Sequence, residues 1–300
     1  MLHERIEILD VSPRDGLQNE KRPVSTADKL HLIETLARAG VRRIEATSFV
    51  NPARVPQMAD AEAIMAGVPR DLGVAYSGLA LNLRGAERAL AAGCDELTFV
   101  VVASETFCQR NQGQTTAQGL ALWAEVAAMA HAAGKRASVM IGAAFGCPFE
   151  GAVDPARVED IAVQALAAGA DELALADTIG VSTPTQVTDL FGRVRAHSGA
   201  VPLRAHFHNT RNTGYANAYA ALLAGVTVLD ASAGGVGGCP FAPRATGNIA
   251  TEDLLYMLDG MGVRHGVDRD AVTGLDPWLA GILGHPVPAL LGKTDPWPPE

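Results

Sequence analysis
Hydrophobic and polar positions along the 300-residue chain switch repeatedly between two periods. Helical spacing of apolar residues runs over 26–39, 82–92, 155–168, 184–197 and 215–224, and short apolar runs of strand length lie between these stretches. The junction recurs as a phrase: LARAGVRRIEA at 36–46, LAAGCDELTFV at 90–100, LAAGADELALA at 166–176 and LLAGVTVLDAS at 222–232, with HAAGKRASVMI at 131–141 a looser copy. In each copy an Ala- and Leu-rich segment stops at a glycine (Gly40, Gly93, Gly134, Gly169, Gly225), the residue suited to a left-handed helix C-cap. A repeated helix-to-strand unit favours parallel strands joined by crossover helices.

Strands are predicted over 6–11, 43–47, 73–78, 96–102, 137–143, 172–176, 203–208 and 227–231. Eight strand–helix units within about 260 residues predict an α/β fold of the (β/α)8 TIM-barrel kind. The rival, a doubly wound open sheet, carries a glycine-rich phosphate loop after its first strand. Here that position reads SPRDGLQNE, so the barrel is the better account. Residues 1–265 are assigned to one catalytic barrel. The Pro- and Gly-rich tail 266–300 is read as an extension that packs on the barrel or serves a contact in a homo-oligomer.

Composition narrows the partners. The chain is 48% hydrophobic and 19% charged, enough apolar material for a large core. A formal net charge of -9 argues against a nucleic-acid partner, which needs a basic face, but leaves room for a small phosphate-bearing ligand. The start MLHERIEILDV has no signal-peptide h-region, and no run of about 18 apolar residues predicts a membrane span. Cys94, Cys108, Cys147 and Cys239 are widely spaced, with no CxxC pair, and read as free thiols of a cytoplasmic protein.

In a barrel the chemistry gathers at the C-terminal ends of the strands. Arg14 and Asp15 follow the first strand, Glu45 ends the second, Asp177 follows the sixth, and His206 and His208 end the seventh. The loop AGGVGGCPFAPRATGN, with Cys239 and Asn248, follows the eighth. On a strand, residues i and i+2 share a face, so the two imidazoles of HFH converge. With Asp15 and Asn248 they make a mixed O/N ligand set without thiolate, which favours Mg2+ or Mn2+ over Zn2+. For Asn248 the competing reading is the N-cap of the helix in IATEDLLYML; for Asp15 it is an ion pair with Arg14. Cys239 sits among glycines in a loop able to bring a thiol to the site, whereas Cys147 in FGCPFEG is assigned no chemistry.

SPRDGLQNEKRPVSTADKL, EATSFVNPARVPQMAD, ADTIGVSTP and GGVGGCPFAPRATGNIATEDLLYML resemble the 3-hydroxy-3-methylglutaryl-CoA (HMG-CoA) lyases, from about residue 5 to 262. These belong to a superfamily of metal-dependent barrels that also holds acyl-CoA condensing enzymes. The resemblance implies cleavage of HMG-CoA to acetyl-CoA and acetoacetate with bound Mg2+ or Mn2+. It assigns His206 as general base, Arg14 as the stabiliser of the thioester enolate, Glu45 as a residue orienting Arg14 or the proton-transfer network, and Cys239 as the acid that protonates the enolate carbon. The acyl-CoA substrate needs phosphate contacts at the rim, for which Lys21, Arg22 and Arg110 are candidates.

The chain also departs from the family. Where the lyases read HxHDTYGQ, it reads HFHNTRNTG, with Asn209 similar to the condensing branch. Ser138 and Met140 stand on the fifth strand where the family has Arg and Tyr, which predicts an altered barrel mouth. Arg211 is the candidate to replace the lost charge. A lyase for a bulkier 3-hydroxy-3-alkylglutaryl-CoA and a condensing enzyme using a 2-oxo acid are the alternatives.

Overall fold
A computed structural model describes residues 3–238, 247–295 and 297. Eight parallel strands close into a barrel: β1 (Glu7–Asp10), β2 (Arg43–Ser48), β3 (Ala75–Ala80), β4 (Glu96–Val102), β5 (Arg136–Gly142), β6 (Glu172–Asp177), β7 (Leu203–Phe207) and β8 (Val228–Ala231), with β8 pairing back onto β1. Helices α1 (Thr26–Arg38), α2 (Ala61–Gly67), α3 (Leu83–Ala91), α4 (Glu105–Gln112), α5 (Thr116–Ala132), α6 (Pro155–Ala167), α7 (Pro184–Ser198), α8 (Gly214–Leu223) and α9 (Thr251–Gly260) surround it. The predicted barrel is the observed fold. All five repeat glycines take positive φ, between 66° and 99°, so each phrase ends its helix as read. Helix starts are set by side chains: Ser25, Asn82, Ser104, Thr115 and Asp154 accept backbone N–H bonds at the N-caps.

The apolar core lies between strands and helices, with Trp123, Phe99, Phe191 and Phe207 fully buried. The barrel's interior is different. Along it runs a line of buried ion pairs. Arg43 grips Glu96 through both carboxylate oxygens at 2.7 and 2.9 Å and Glu172 at 2.8 Å; Arg204 lies 3.1 Å from Glu172 and 3.7 Å from Asp230. Ser138, expected at the mouth, is instead fully buried within this line, donating to Glu96 at 2.5 Å. One position along a strand is about 3.3 Å of depth, so Met140, two residues on, reaches the cavity while Ser138 does not.

The tail forms α10 (Arg269–Thr273) and α11 (Asp276–Leu283) and returns over the end of β8, where Ala289 N–H donates to Gly234 O at 3.0 Å. Beneath it Glu252 accepts Gly234 N–H and lies beside Asp276. Burial, and then Asp276 itself, push the Glu252 carboxyl well above its ordinary range. The folded chain thus keeps a proton that the unfolded chain releases, so stability falls as pH rises from 4.5 toward the raised folded value. Glu252→Gln is expected to flatten the decline of melting temperature between about pH 5 and 8 and to raise it by a few degrees at pH 8; thermal denaturation across that range checks it. Among the described residues no helix is long and apolar enough to cross a membrane.

Candidate active site
The turn after β1 is a single π-helical turn, Ser12–Gly16, that carries Arg14 and Asp15. Asp10 anchors it. This fully buried carboxylate accepts from Ser12 N–H at 2.8 Å, and from Thr251 Oγ1 at 2.7 Å, which ties the turn to the start of α9. On β2 the register shifts between Glu45 and Thr47, and such a bulge re-aims the neighbouring side chain. Glu45 receives the Arg14 guanidinium, and Arg14 also reaches Asp15 at 2.5 Å. These contacts use at most part of the five guanidinium N–H groups and leave others to face the cavity that Arg14 lines. Burial pushes the Glu45 carboxyl up, against the pull of Arg14.

His206 and His208 are 4% and 2% exposed, at the C-terminal end of β7. Their Nε2 atoms lie 3.9 and 3.5 Å from Asp15 Oδ2. Asp15, His206 and His208 offer ligand atoms that all fall within 4.8 Å of one another. Burial alone would push the Asp15 carboxyl up, but Arg14 and the two imidazoles hold it below the usual carboxylate range. His206 runs the other way: burial opposes its charged form, yet Asp230 and Asp15 draw its pKa upward. The site attracts positive charge.

Asn248 completes the set. It precedes the N-cap of α9, which is Ala250, so the capping reading fails. A backbone bridge to His208 holds it beside the imidazoles. Its Nδ2 donates to Asp15 Oδ2 at 2.9 Å and to Val236 O at 3.2 Å, while its buried Oδ1 has no partner among the described residues. Turned over, the amide would bring its oxygen against two others, an arrangement that only a cation makes stable. Gly237 allows the close approach. Its φ is 136°, and a Cβ there would stand 2.6 Å from Asn248 Nδ2. The residues therefore fit a divalent ion with oxygen and nitrogen donors.

This cluster forms the floor of a cavity of about 980 Å3. Leu79, Val100, Met140 and Ala176 make an apolar wall, and Lys21, Arg54, Arg110 and Gln114 stand toward the rim. Of the rim cations expected from the sequence, Lys21 and Arg110 line the cavity, Arg110 lying 4.2 Å over the Phe149 ring. Arg22 does not, since its guanidinium turns to Gly281 O at 3.2 Å. Arg54, in NPARVP, was missed, although a cation just beyond the second strand is a readable signal.

Other expectations change with the structure. Arg211 donates to the carbonyls of Ile179 and Gly180 at 3.2 and 2.8 Å and is not part of the cavity wall. Asn209 accepts Gly214 N–H at 3.0 Å, a support for the start of α8. Asp177 organises its own loop, accepting from Val181 N–H and Ser182 N–H. Cys147 is buried and accepts from Ser104 Oγ at 2.8 Å. Cys239 lies outside the described residues.

Comparison with known proteins follows the same line. The family model described as HMGL-like matches residues 5–276. The chain is 46% identical to an (R)-citramalyl-CoA lyase of Chloroflexus aurantiacus, over 99% of this chain and 97% of that one. It is 41% identical to a 3-hydroxy-3-isohexenylglutaryl-CoA/hydroxymethylglutaryl-CoA lyase of Pseudomonas aeruginosa, over 94% of each. A solved HMG-CoA lyase of Acinetobacter baumannii, in complex with coenzyme A and 3-methylmalate, superposes with a TM-score of 0.94 at 39% identity, covering 98% of this chain and 96% of that one. The chain belongs to the HMGL-like family and is a lyase akin to the hydroxymethylglutaryl-CoA lyases.

Proposed function
We propose that this lyase breaks the C2–C3 bond of a 3-hydroxy-3-methylacyl-CoA thioester that also bears a free carboxylate, releasing acetyl-CoA, and that it does so with a divalent metal, Mg2+ or Mn2+. The observation that carries this reading is the convergence of Asp15, His206 and His208 beside Arg14 on the cavity floor. Asp15, His208, Asn248 and His206 would hold the cation, which when bound supplies Lewis acidity to the substrate's hydroxyl oxygen. The one lone pair on His206 Nε2 serves one role at a time: where it does not hold the cation, it takes the hydroxyl proton. The C2–C3 electron pair moves into the thioester as an enolate, against the Arg14 guanidinium. Glu45 orients Arg14. Cys239 gives its thiol proton to C2, and exchange with water returns the proton taken by His206, so the enzyme ends as it began. Lys21 and Arg110, with Arg54, suit the phosphates of coenzyme A.

HMG-CoA is the substrate the family resemblance suggests. A second reading, the one-carbon-shorter citramalyl-CoA, is favoured by Met140. A carboxylate one methylene out from the carbinol carbon would lie farther from the Asp15 cluster, toward the apolar Met140, Leu79 and Val100. A carboxylate on the carbinol carbon itself would stay beside the Asp15 cluster. The greater identity to the citramalyl-CoA lyase agrees with this. The test is acetyl-CoA release from both thioesters with Mg2+ or Mn2+, and again with EDTA. Release from both is expected to need metal, with the larger kcat/KM for citramalyl-CoA. Metal-independent release, or none from either thioester, would refute the proposal.

A further inference from the structure
The two imidazoles of the site are not held alike. His208 Nδ1 is buried with no hydrogen-bond partner among the described residues. His206 Nδ1 lies 3.1 Å from Asp230 Oδ2. Asp230, from β8, is 1% exposed, and Arg204 stands 3.7 Å from its other oxygen. Arg204 is itself entirely buried, on the same face of β7 as His206, and is tied to Glu172 and through it to Arg43. The line of ion pairs that begins deep in the barrel therefore ends at the back of one particular histidine.

We infer that Asp230 is the positioning residue for His206, and that it fixes the imidazole tautomer that turns an unprotonated Nε2 toward the cavity; the inference rests on reading this site as a metal-dependent lyase centre. A carboxylate offers only lone pairs, so the hydrogen between the two groups belongs to Nδ1. A neutral ring with hydrogen on Nδ1 keeps its lone pair on Nε2, the atom that faces Asp15. That lone pair is what either role of His206 needs, a bond to a cation or acceptance of the hydroxyl proton. The other tautomer would aim an N–H at the same place and do neither. Carboxylates behind metal-site and catalytic histidines commonly serve this way. Arg204 makes no hydrogen bond to Asp230, but its charge 3.7 Å from the other oxygen favours keeping the carboxylate in this place.

Asp230→Asn tests this. With its oxygen drawn to Arg204, the new amide presents N–H to His206 Nδ1 and drives the ring hydrogen to Nε2. Turnover is expected to fall about 10²–10⁴-fold in kcat, with KM changed far less. Mn2+ affinity, read by titration, is expected to fall about 10–100-fold. A variant with unaltered kcat and Mn2+ affinity would overturn the inference. Should the variant not fold, nitrogen-15 NMR of histidine-labelled, Mg2+-loaded wild type decides: hydrogen on His206 Nδ1 is expected, and hydrogen on Nε2 overturns it. If the wild type binds no Mn2+ at all, the metal reading falls instead, and the ring spectrum of that protein, recorded at a pH high enough to leave His206 neutral, still reports the tautomer.

Discussion

Arg14→Met is expected to lower kcat/KM by about 10²–10³-fold, the usual cost of removing one group aimed at charge that develops in the transition state. The same change should also destabilise the fold by about 3–5 kcal/mol, because Glu45 is fully buried and loses the guanidinium that compensates it. The two effects separate in a double variant. Arg14→Met with Glu45→Gln removes both charges, so most of the lost stability should return while the activity stays low. Thermal denaturation beside steady-state kinetics reads both. Full activity in the single variant would mean that Arg14 serves the fold alone.

Cys239→Ala is expected to slow acetyl-CoA formation by about 10²–10⁴-fold, the range for a positioned acid. Asp15, His206, His208 and Asn248 are untouched by the change, so Mn2+ affinity should remain near that of the parent. Reaction in D2O adds a direct readout, since one deuterium should enter the methyl group of acetyl-CoA in the parent enzyme. A variant that keeps its rate would move the proton-donor role to another group.

The barrel was legible because its repeat is physical: a helix that must stop at a glycine and a strand that must be apolar. That Asp15, His206 and His208 would lie together followed from where strands end. Asn248 was left between two roles because sequence alone does not show whether a helix starts at 249 or 251. Ser138 was misplaced because alternation tells which way a side chain points, not at what depth in the barrel it sits. Arg22 and Arg211 erred for another reason. Both have long flexible side chains, and nearby backbone carbonyls outcompete the cavity for them. The ion line was not read at all. Arg43, Glu96, Glu172, Arg204 and Asp230 are far apart in the chain and look like ordinary polar positions on strands until the barrel closes around them. Asp230 had a signal in its place near the end of the eighth apolar run, VLDAS.

That line of charges bears on how such an enzyme can diverge. A change to any one member leaves a partner charged and dry, so its members must vary in concert or not at all. Met140 belongs to no such pairing and faces the cavity across from other apolar side chains. Drift in preference among acyl groups is therefore cheapest along that wall, one ordinary substitution at a time, while the machinery beneath it is inherited whole.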